Sequence, residues 1–186
     1  MKQTITISLD DIRLRPLTEQ DLEKKVRWIN DPDVNKYLHY ELPLELEKTK
    51  KWLAKTANDE TRYDFAIEKI EKGEKVPIGL IGLLEINKSY ETAEFYITVG
   101  EKKYWKKGLG QKSLTILVEW AFNTVGLHKI WGTVRVNNLA SIALMKKVGF
   151  KIEGTLREEK KVGNKRFDVV RVGLLRHEFH NPYKEK

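Results

Sequence analysis

Residues 63–99 constrain the fold more than any other part of the chain. Tyr63, Phe65 and Ile67 alternate with polar residues, and Glu71-Lys72-Gly73 then turns the chain. Residues 76–86 form a mostly apolar, glycine-containing run, residues 87–91 a second turn, and residues 92–99 a third extended run. Neither turn is long enough for a crossover, so the three strands pair as an antiparallel meander. The period then changes. Leu114, Leu117, Val118, Ala121 and Val125 recur at helical spacing, and Gly126 stands where a helix stops.

The flanking segments complete a mixed order. Residues 5–15 read as one entry strand ending at Pro16. Thr18 can cap a following helix with Asp21 three residues on, Leu17 and Leu22 can staple it, and Leu22, Val26 and Ile29 continue it. Asn30-Asp31-Pro32-Asp33 breaks that helix, and a second is expected over residues 44–57, with Leu46, Trp52 and Leu53 on its apolar side. After the meander and its helix come a strand over 129–136, a short helix over 140–148 ended by Gly149, and strands over 150–153 and 168–175. A basic stretch containing Gly163-Asn164 joins those two strands, and residues 160–166 read as a solvated basic hairpin. The class is α/β (α+β), and 186 residues suffice for one domain with a sizeable core.

Composition narrows the chemistry. The chain has no cysteine, which removes disulfides, thiolate metal sites and a cysteine nucleophile. Its four histidines, His39, His128, His177 and His180, lack metal-ligand spacing, so no metal is expected. No run approaches the roughly 18 apolar residues of a membrane span, and the first residues carry no leader pattern, so a cytoplasmic address is expected. A net charge of +8 fits a polyanionic partner or a lysine-rich surface with no binding role, and the cations are spread along the chain.

The turn between the meander and its helix, Tyr104-Trp105-Lys106-Lys107-Gly108-Leu109-Gly110, has the geometry of a helix-N-terminus anion site. Glycine lets a phosphate approach the free N–H groups, and Lys106 and Lys107 add charge; an ordinary tight turn would use the same residues. A triphosphate-binding loop would need Lys directly after the last glycine, where Gln111 stands; Lys112 and Ser113 are early helix. A dinucleotide fingerprint would need a third glycine, where Ser113 stands, and a preceding βαβ unit.

Residues 94–99 together with that turn resemble motif A of the GNAT superfamily of acyl-CoA-dependent N-acetyltransferases, in the wording of its RimJ/RimL-like branch. Val136-Asn137-Asn138-Leu139-Ala140-Ser141, continuing to Lys147-Val148-Gly149-Phe150, resembles the family's Asn-x-x-Ser…Lys-x-Gly-Phe segment. Trp28-Ile29-Asn30-Asp31-Pro32-Asp33-Val34 is similar to the branch's Trp-x-Asn-Asp-Pro-x-Val stretch. The resemblance spans roughly residues 12–179. It implies a GNAT fold within one acetyltransferase domain over residues 1–186: a central, mostly antiparallel mixed sheet, a two-helix insertion after strand 1, and helices on both faces. The implied cosubstrate is acetyl-CoA.

The resemblance also implies roles. Ile97, Thr98 and Val99 would hold the pantetheine arm along a strand that splays from its neighbour. Trp105, Lys106, Lys107, Gly108, Leu109 and Gly110 would hold the pyrophosphate, although Trp105 stands where Arg or Gln is commonest. Asn138 would contact the coenzyme, or simply cap a helix. Amine acetylation needs a base, and Glu94 in an otherwise apolar strand is the candidate, with Glu85 a weaker competitor; an ion-paired strand glutamate is the plain alternative. Ser141 matches the branch's thiolate-protonating serine, and equally a helix-start hydroxyl. Met145 stands where many relatives keep a tyrosine acid. Trp28, Tyr37, Tyr40 and Trp52 lie in the segment that shapes the family's acceptor pocket, with Tyr96 on the strand face of Glu94, although such aromatics are often core. The expected reaction is direct attack by an amine, a protein N-terminus first. A polyamine or another small amine is the alternative, with Asp31, Asp33, Glu41, Glu45 and Glu47 available to a polycation. A basic nucleic-acid-binding module is the reading from another class, against which the spread of charge weighs. Oligomeric state stays open.

Overall fold

A computed structural model describes residues 5–184. Met1 to Thr4, which open the stretch searched for a leader, and Glu185 and Lys186, which end the expected domain, lie outside the described residues. The chain forms one eight-stranded sheet in the order β1-β2-β3-β4-β5-β6-β8-β7. Its strands are β1 (Ile7–Leu9), β2 (Ile12–Pro16), β3 (Tyr63–Glu71), β4 (Glu74–Asn87), β5 (Thr92–Val99), β6 (Lys129–Arg135), β7 (Lys151–Val162) and β8 (Lys165–Leu175). Every pairing is antiparallel except that of β5 with β6, which a helix connects. The expected meander is β3-β4-β5, and the helix after it is α4 (Leu109–Trp120), prolonged by a π turn, Ala121–Val125, to the left-handed Gly126.

Helices cover both faces. On one, α4 and α5 (Leu139–Val148) pack on the larger core, which includes Ile12, Phe65, Phe95, Leu114, Phe122 and Val172. On the other, α1 (Leu22–Asn30), the single turn α2 (Pro32–Asn35) and α3 (Leu46–Thr56) bury Leu22, Trp28 and Val34 against Ala66 and Leu80. The expected staple residues Leu17 and Leu22 share that second core. Asp21 accepts from both the backbone N and Oγ1 of Thr18, each at 2.9 Å, so the Asp21 half of the expected cap forms while the Thr18 hydroxyl donates instead of accepting.

Two expectations about strands are corrected. The entry strand is split: Asp10 takes φ of 49°, and β1 folds back on β2. Aspartate tolerates that backbone, and the carboxylate of Asp11 is anchored by Lys69 and Lys112. The helical insertion therefore follows the second strand. At the other end, β7 and β8 run through most of the basic stretch and leave a two-residue turn at Gly163-Asn164, with φ of 57° at Gly163.

Under α1 lies a closed ionic network. Arg15 holds Asp21 through two bonds of 2.7 Å and Glu68 at 2.8 Å, while Arg13 also reaches Glu68 at 2.6 Å. Asp21 and Glu68 are buried. Two guanidinium groups thus face two carboxylates, and each buried charge has a partner.

Candidate active site

The ladder between β5 and β6 has three steps, Thr92↔Lys129, Ala93↔Ile130 and Glu94↔Trp131. Beyond Glu94 the strands part: β5 continues beside β4 alone, and β6 beside β8. Gly100 N donates to Ile78 O on β4 at 2.9 Å, so by strand alternation the N–H groups of Phe95, Ile97 and Val99 face the gap. A parallel pair that opens this way creates a slot walled by backbone donors and acceptors. At its end, Trp105 Nε1 donates to Val99 O at 2.7 Å, which pins the glycine turn to the strand.

The two glycines of that turn serve different purposes. Gly108, the N-cap of α4, takes φ of 76°, with Lys106 also left-handed at 59°. Gly110 needs room, because a Cβ there would lie 2.9 Å from Leu144 Cδ1 and 3.5 Å from Val99 Cγ2. Within α4, the bond from Lys112 N to Gly108 O at 3.0 Å is the first turn's, so the N–H groups of residues 109–111 have no intrahelical acceptor. Those donors, the helix dipole and the exposed Lys106 and Lys107 fit a pyrophosphate. Lys112 points elsewhere, to Asp10 at 3.1 Å and Asp11 at 2.9 Å, and Ser113 Oγ bonds back to Leu109 O. That geometry agrees with both being ordinary early-helix residues.

A cleft of about 330 Å³ opens where β5 and β6 part, and Tyr37, Glu94, Tyr96, Ile97, Thr98, Asn138 and Ser141 all border it. Burial pushes the Glu94 carboxyl above its ordinary range and the charge of Glu85 adds to this, while Lys160, Arg171 and a long 3.4 Å bond from Thr133 Oγ1 oppose it. Glu85 itself is exposed, at φ of 51° in a bulge of β4. Tyr96 donates to Asp64 Oδ1 at 2.7 Å, and burial together with Asp64 drives its phenol well above its usual range. Asn138 Oδ1 accepts from Ser141 N at 3.2 Å, so Asn138 caps α5 while both residues border the cleft. Met145, buried on the same wall, offers no proton.

Other expected positions lie outside the cleft. Trp28 is buried under the end of β5, where its Nε1 donates to Glu101 at 2.9 Å and its ring fills the space that a Cβ on Gly100 would take. It supports the site from behind and meets no acceptor there. Val99 and the turn from Trp105 to Gly110 lie beyond the cleft's end. The acidic supply named for a polycation is largely spent: Lys102 bridges Asp31 (2.8 Å) and Asp33 (2.9 Å), Lys48 holds Glu45, and Lys50 holds Glu47.

The structure adds residues that the sequence reading missed. Asp64 sits between Tyr96 and Arg62, which grips it at 2.7 and 2.8 Å. Lys25 is 6% exposed, with its ammonium 3.3 Å from the centre of the Trp52 ring. Arg135, 8% exposed, stacks on Phe167 at 3.7 Å, reaches the Lys36 and Leu38 carbonyls, and leaves Nε without a partner. Lys160 projects from β7 onto the same cleft. For Arg135 a lone charge after the uncharged run of residues 130–134 was the available signal, as it was for Glu94; Lys25 and Lys160 stand among other charges and carry none. Among the described residues, no group of three His, Asp or Glu side chains is placed to hold a metal, and no helix is long and apolar enough to cross a membrane.

Comparison with known proteins agrees with this geometry. A family profile described as acetyltransferase (GNAT) domain matches residues 11–151. The spermidine N(1)-acetyltransferase of Escherichia coli K12 is 29% identical over 175 residues, covering 92% of this chain and 90% of the relative. The crystal structure of spermidine N-acetyltransferase from Vibrio cholerae in complex with CoA and spermine superposes with a TM-score of 0.83 at 28% identity, covering 91% of this chain and 98% of that one. A dodecameric structure of the Vibrio cholerae enzyme in an intermediate state superposes with a TM-score of 0.76 at 27% identity, covering 90% and 95% of the two chains. These relatives carry spermidine names, so the comparisons support the superfamily without singling out the RimJ/RimL-like branch.

Proposed function

The chain belongs to the GNAT acetyltransferase family, and from that premise we propose that it transfers the acetyl group of acetyl-CoA to the primary amine of a small molecule by direct attack. The observation that carries this reading is the parting of β5 and β6 at Glu94, with a buried carboxylate at the fork and a glycine-turn anion site at the far end. The named relatives favour a small amine over the protein N-terminus expected from sequence, and spermidine is the first acceptor to try. The basic nucleic-acid module is not carried forward, because the cleft and the family give the fold an enzymatic purpose. The dodecamer of the Vibrio cholerae relative makes self-assembly a reasonable expectation for this chain.

Bound acetyl-CoA supplies the acyl thioester whose C–S bond is exchanged for an amide C–N bond. Along the slot, the N–H of Ile97 is the candidate to polarise the carbonyl oxygen, a role for fixed donors in a place shielded from water. Glu94 takes the proton that the attacking nitrogen loses, and a raised pKa brings its basicity closer to that task. Ser141 Oγ is the candidate to pass a proton to the departing thiolate, with solvent water restoring the one it gives, since Met145 cannot. The N–H groups of residues 109–111 and Lys106 and Lys107 hold the pyrophosphate.

Thiol release from acetyl-CoA, followed against a panel of small amines with calorimetric titration of acetyl-CoA in parallel, tests this. Binding in the micromolar range with amine-dependent release is expected. Failure to bind acetyl-CoA at high micromolar concentration, or the absence of amine-dependent release with every amine tried, would overturn it.

A further inference from the structure

The charges around the cleft do not balance, and the imbalance bears on the acceptor. Four cations border it, Lys25, Arg62, Arg135 and Lys160, against two carboxylates, Asp64 and Glu94. Asp64 is already saturated by Arg62 and by the Tyr96 hydroxyl. Arg135 has no ion pair among the described residues, and Lys160 has none either. A buried guanidinium with an unpartnered Nε is costly to maintain, and an anion in the cleft would offset that cost. A polycation would instead bring more positive charge to a cleft with no free carboxylate but Glu94.

Resting on the acetyltransferase reading above, we propose that the acceptor is a primary amine that itself carries an anionic group, a carboxylate or a phosphate, which Lys160 and Arg135 receive while its amine faces Glu94. Lys160 is near enough for its charge to act on Glu94, while Arg135 borders the same cleft farther along β6, four residues and about 13 Å of strand beyond Trp131, the residue paired with Glu94. The amine and the anion of one small molecule can therefore engage together. The two readings of the acceptor differ only in the sign of its second group, so matched compounds separate them.

The test compares kcat/KM at saturating acetyl-CoA for three pairs: ethanolamine and phosphoethanolamine, cadaverine and 5-aminopentanoate, and glucosamine and glucosamine 6-phosphate, with spermidine alongside. In at least one pair the anionic member should lead by about tenfold, and also exceed spermidine. The pairs themselves tell carboxylate from phosphate. Lys160→Gln, a change on a half-buried hairpin side chain, should raise KM for the preferred acceptor and erase most of its lead over its non-anionic partner, both compared within the variant so that any change at Glu94 is common to the two. A lead by spermidine, or by the member without an anion in every pair, would overturn the inference and leave the acetyltransferase intact. So would a preference that survives Lys160→Gln. If acetyl-CoA binds and no amine of the seven is acetylated, the parent reading fails and takes this one with it.

Discussion

The junction under α1 and the cleft between β5 and β6 both hold charged side chains out of water, and they treat them in opposite ways. Under α1, Arg13 and Arg15 are matched one for one by Asp21 and Glu68 at 2.6 to 2.8 Å. In the cleft, Lys25, Arg135 and Glu94 are buried wholly or in part with no such match. A closed network recovers the desolvation of its charges, so it can serve as a fastening. An open one leaves that cost standing until something binds. The difference marks one region as structural and accords with the proposal that a ligand completes the electrostatics of the other.

The largest effect should come from opening the closed network. Burial pushes the Asp21 carboxyl up, but the Arg15 and Thr18 bonds more than offset it, so its pKa lies below the ordinary range. Asp21→Asn takes away one of the two carboxylates that hold Arg15, leaving it Glu68 alone, and should cost about 3 kcal/mol in urea unfolding at pH 7. Because the folded pKa is depressed, this contribution is present at neutral pH and is lost in the wild type as pH falls through the acidic range. A loss below about 1 kcal/mol would mean that the network is no fastening, and the contrast with the cleft would collapse.

Next in size is the chemical step. Glu94→Gln keeps the shape of the fork and removes the proposed base, so the single-turnover rate at saturating acetyl-CoA should fall by about a hundredfold. The raised pKa of Glu94 places the acid limb of the wild-type kcat/KM above pH 4.5, with activity lost as the carboxylate protonates on descending pH. The variant should lose that limb. An unchanged rate would return Glu94 to the status of a strand glutamate and sharpen attention on a water relay.

How far these two regions could be read in advance differs for a physical reason. The meander, the glycine turn and α4 follow from local periodicity and turn chemistry, which a sequence carries openly. Glu94 stood out because it interrupts an apolar strand. The rest of the cleft depends on pairing across the fold: Asp64 matters because Tyr96 lies two strands away, and Lys25 because α1 sets it on Trp52. Lys25 also falls on the stripe of Leu22 and Ile29, where a lysine is ordinarily taken as surface. The split in the entry strand rests on Asp10 alone, and the residues on both sides of it favour extension, so the pattern reads as one strand. Trp28 shows the reverse error: its aromatic character suggested a pocket, while its position under Gly100 makes it a support.

Lys25 is the smallest and most discriminating case. Burial lowers its pKa from 10.5 to about 8, with Asp64 opposing and Arg62 adding to the shift. The unfolded chain therefore binds more protons than the folded one between pH 8 and 10.5, so wild-type stability rises across that window and carries the full penalty below it. The Trp52 ring under the ammonium returns part of that penalty. Lys25→Met should thus be more stable than wild type at pH 7, by about 1 kcal/mol in thermal unfolding, with the gap narrowing toward pH 10.5. A mutation inside the closed network can only lose stability; one in the cleft should gain it. If Lys25→Met is instead destabilised at pH 7, the cleft is balanced by contacts equal to those under α1, and its open charge is no longer a reason to expect an anion there.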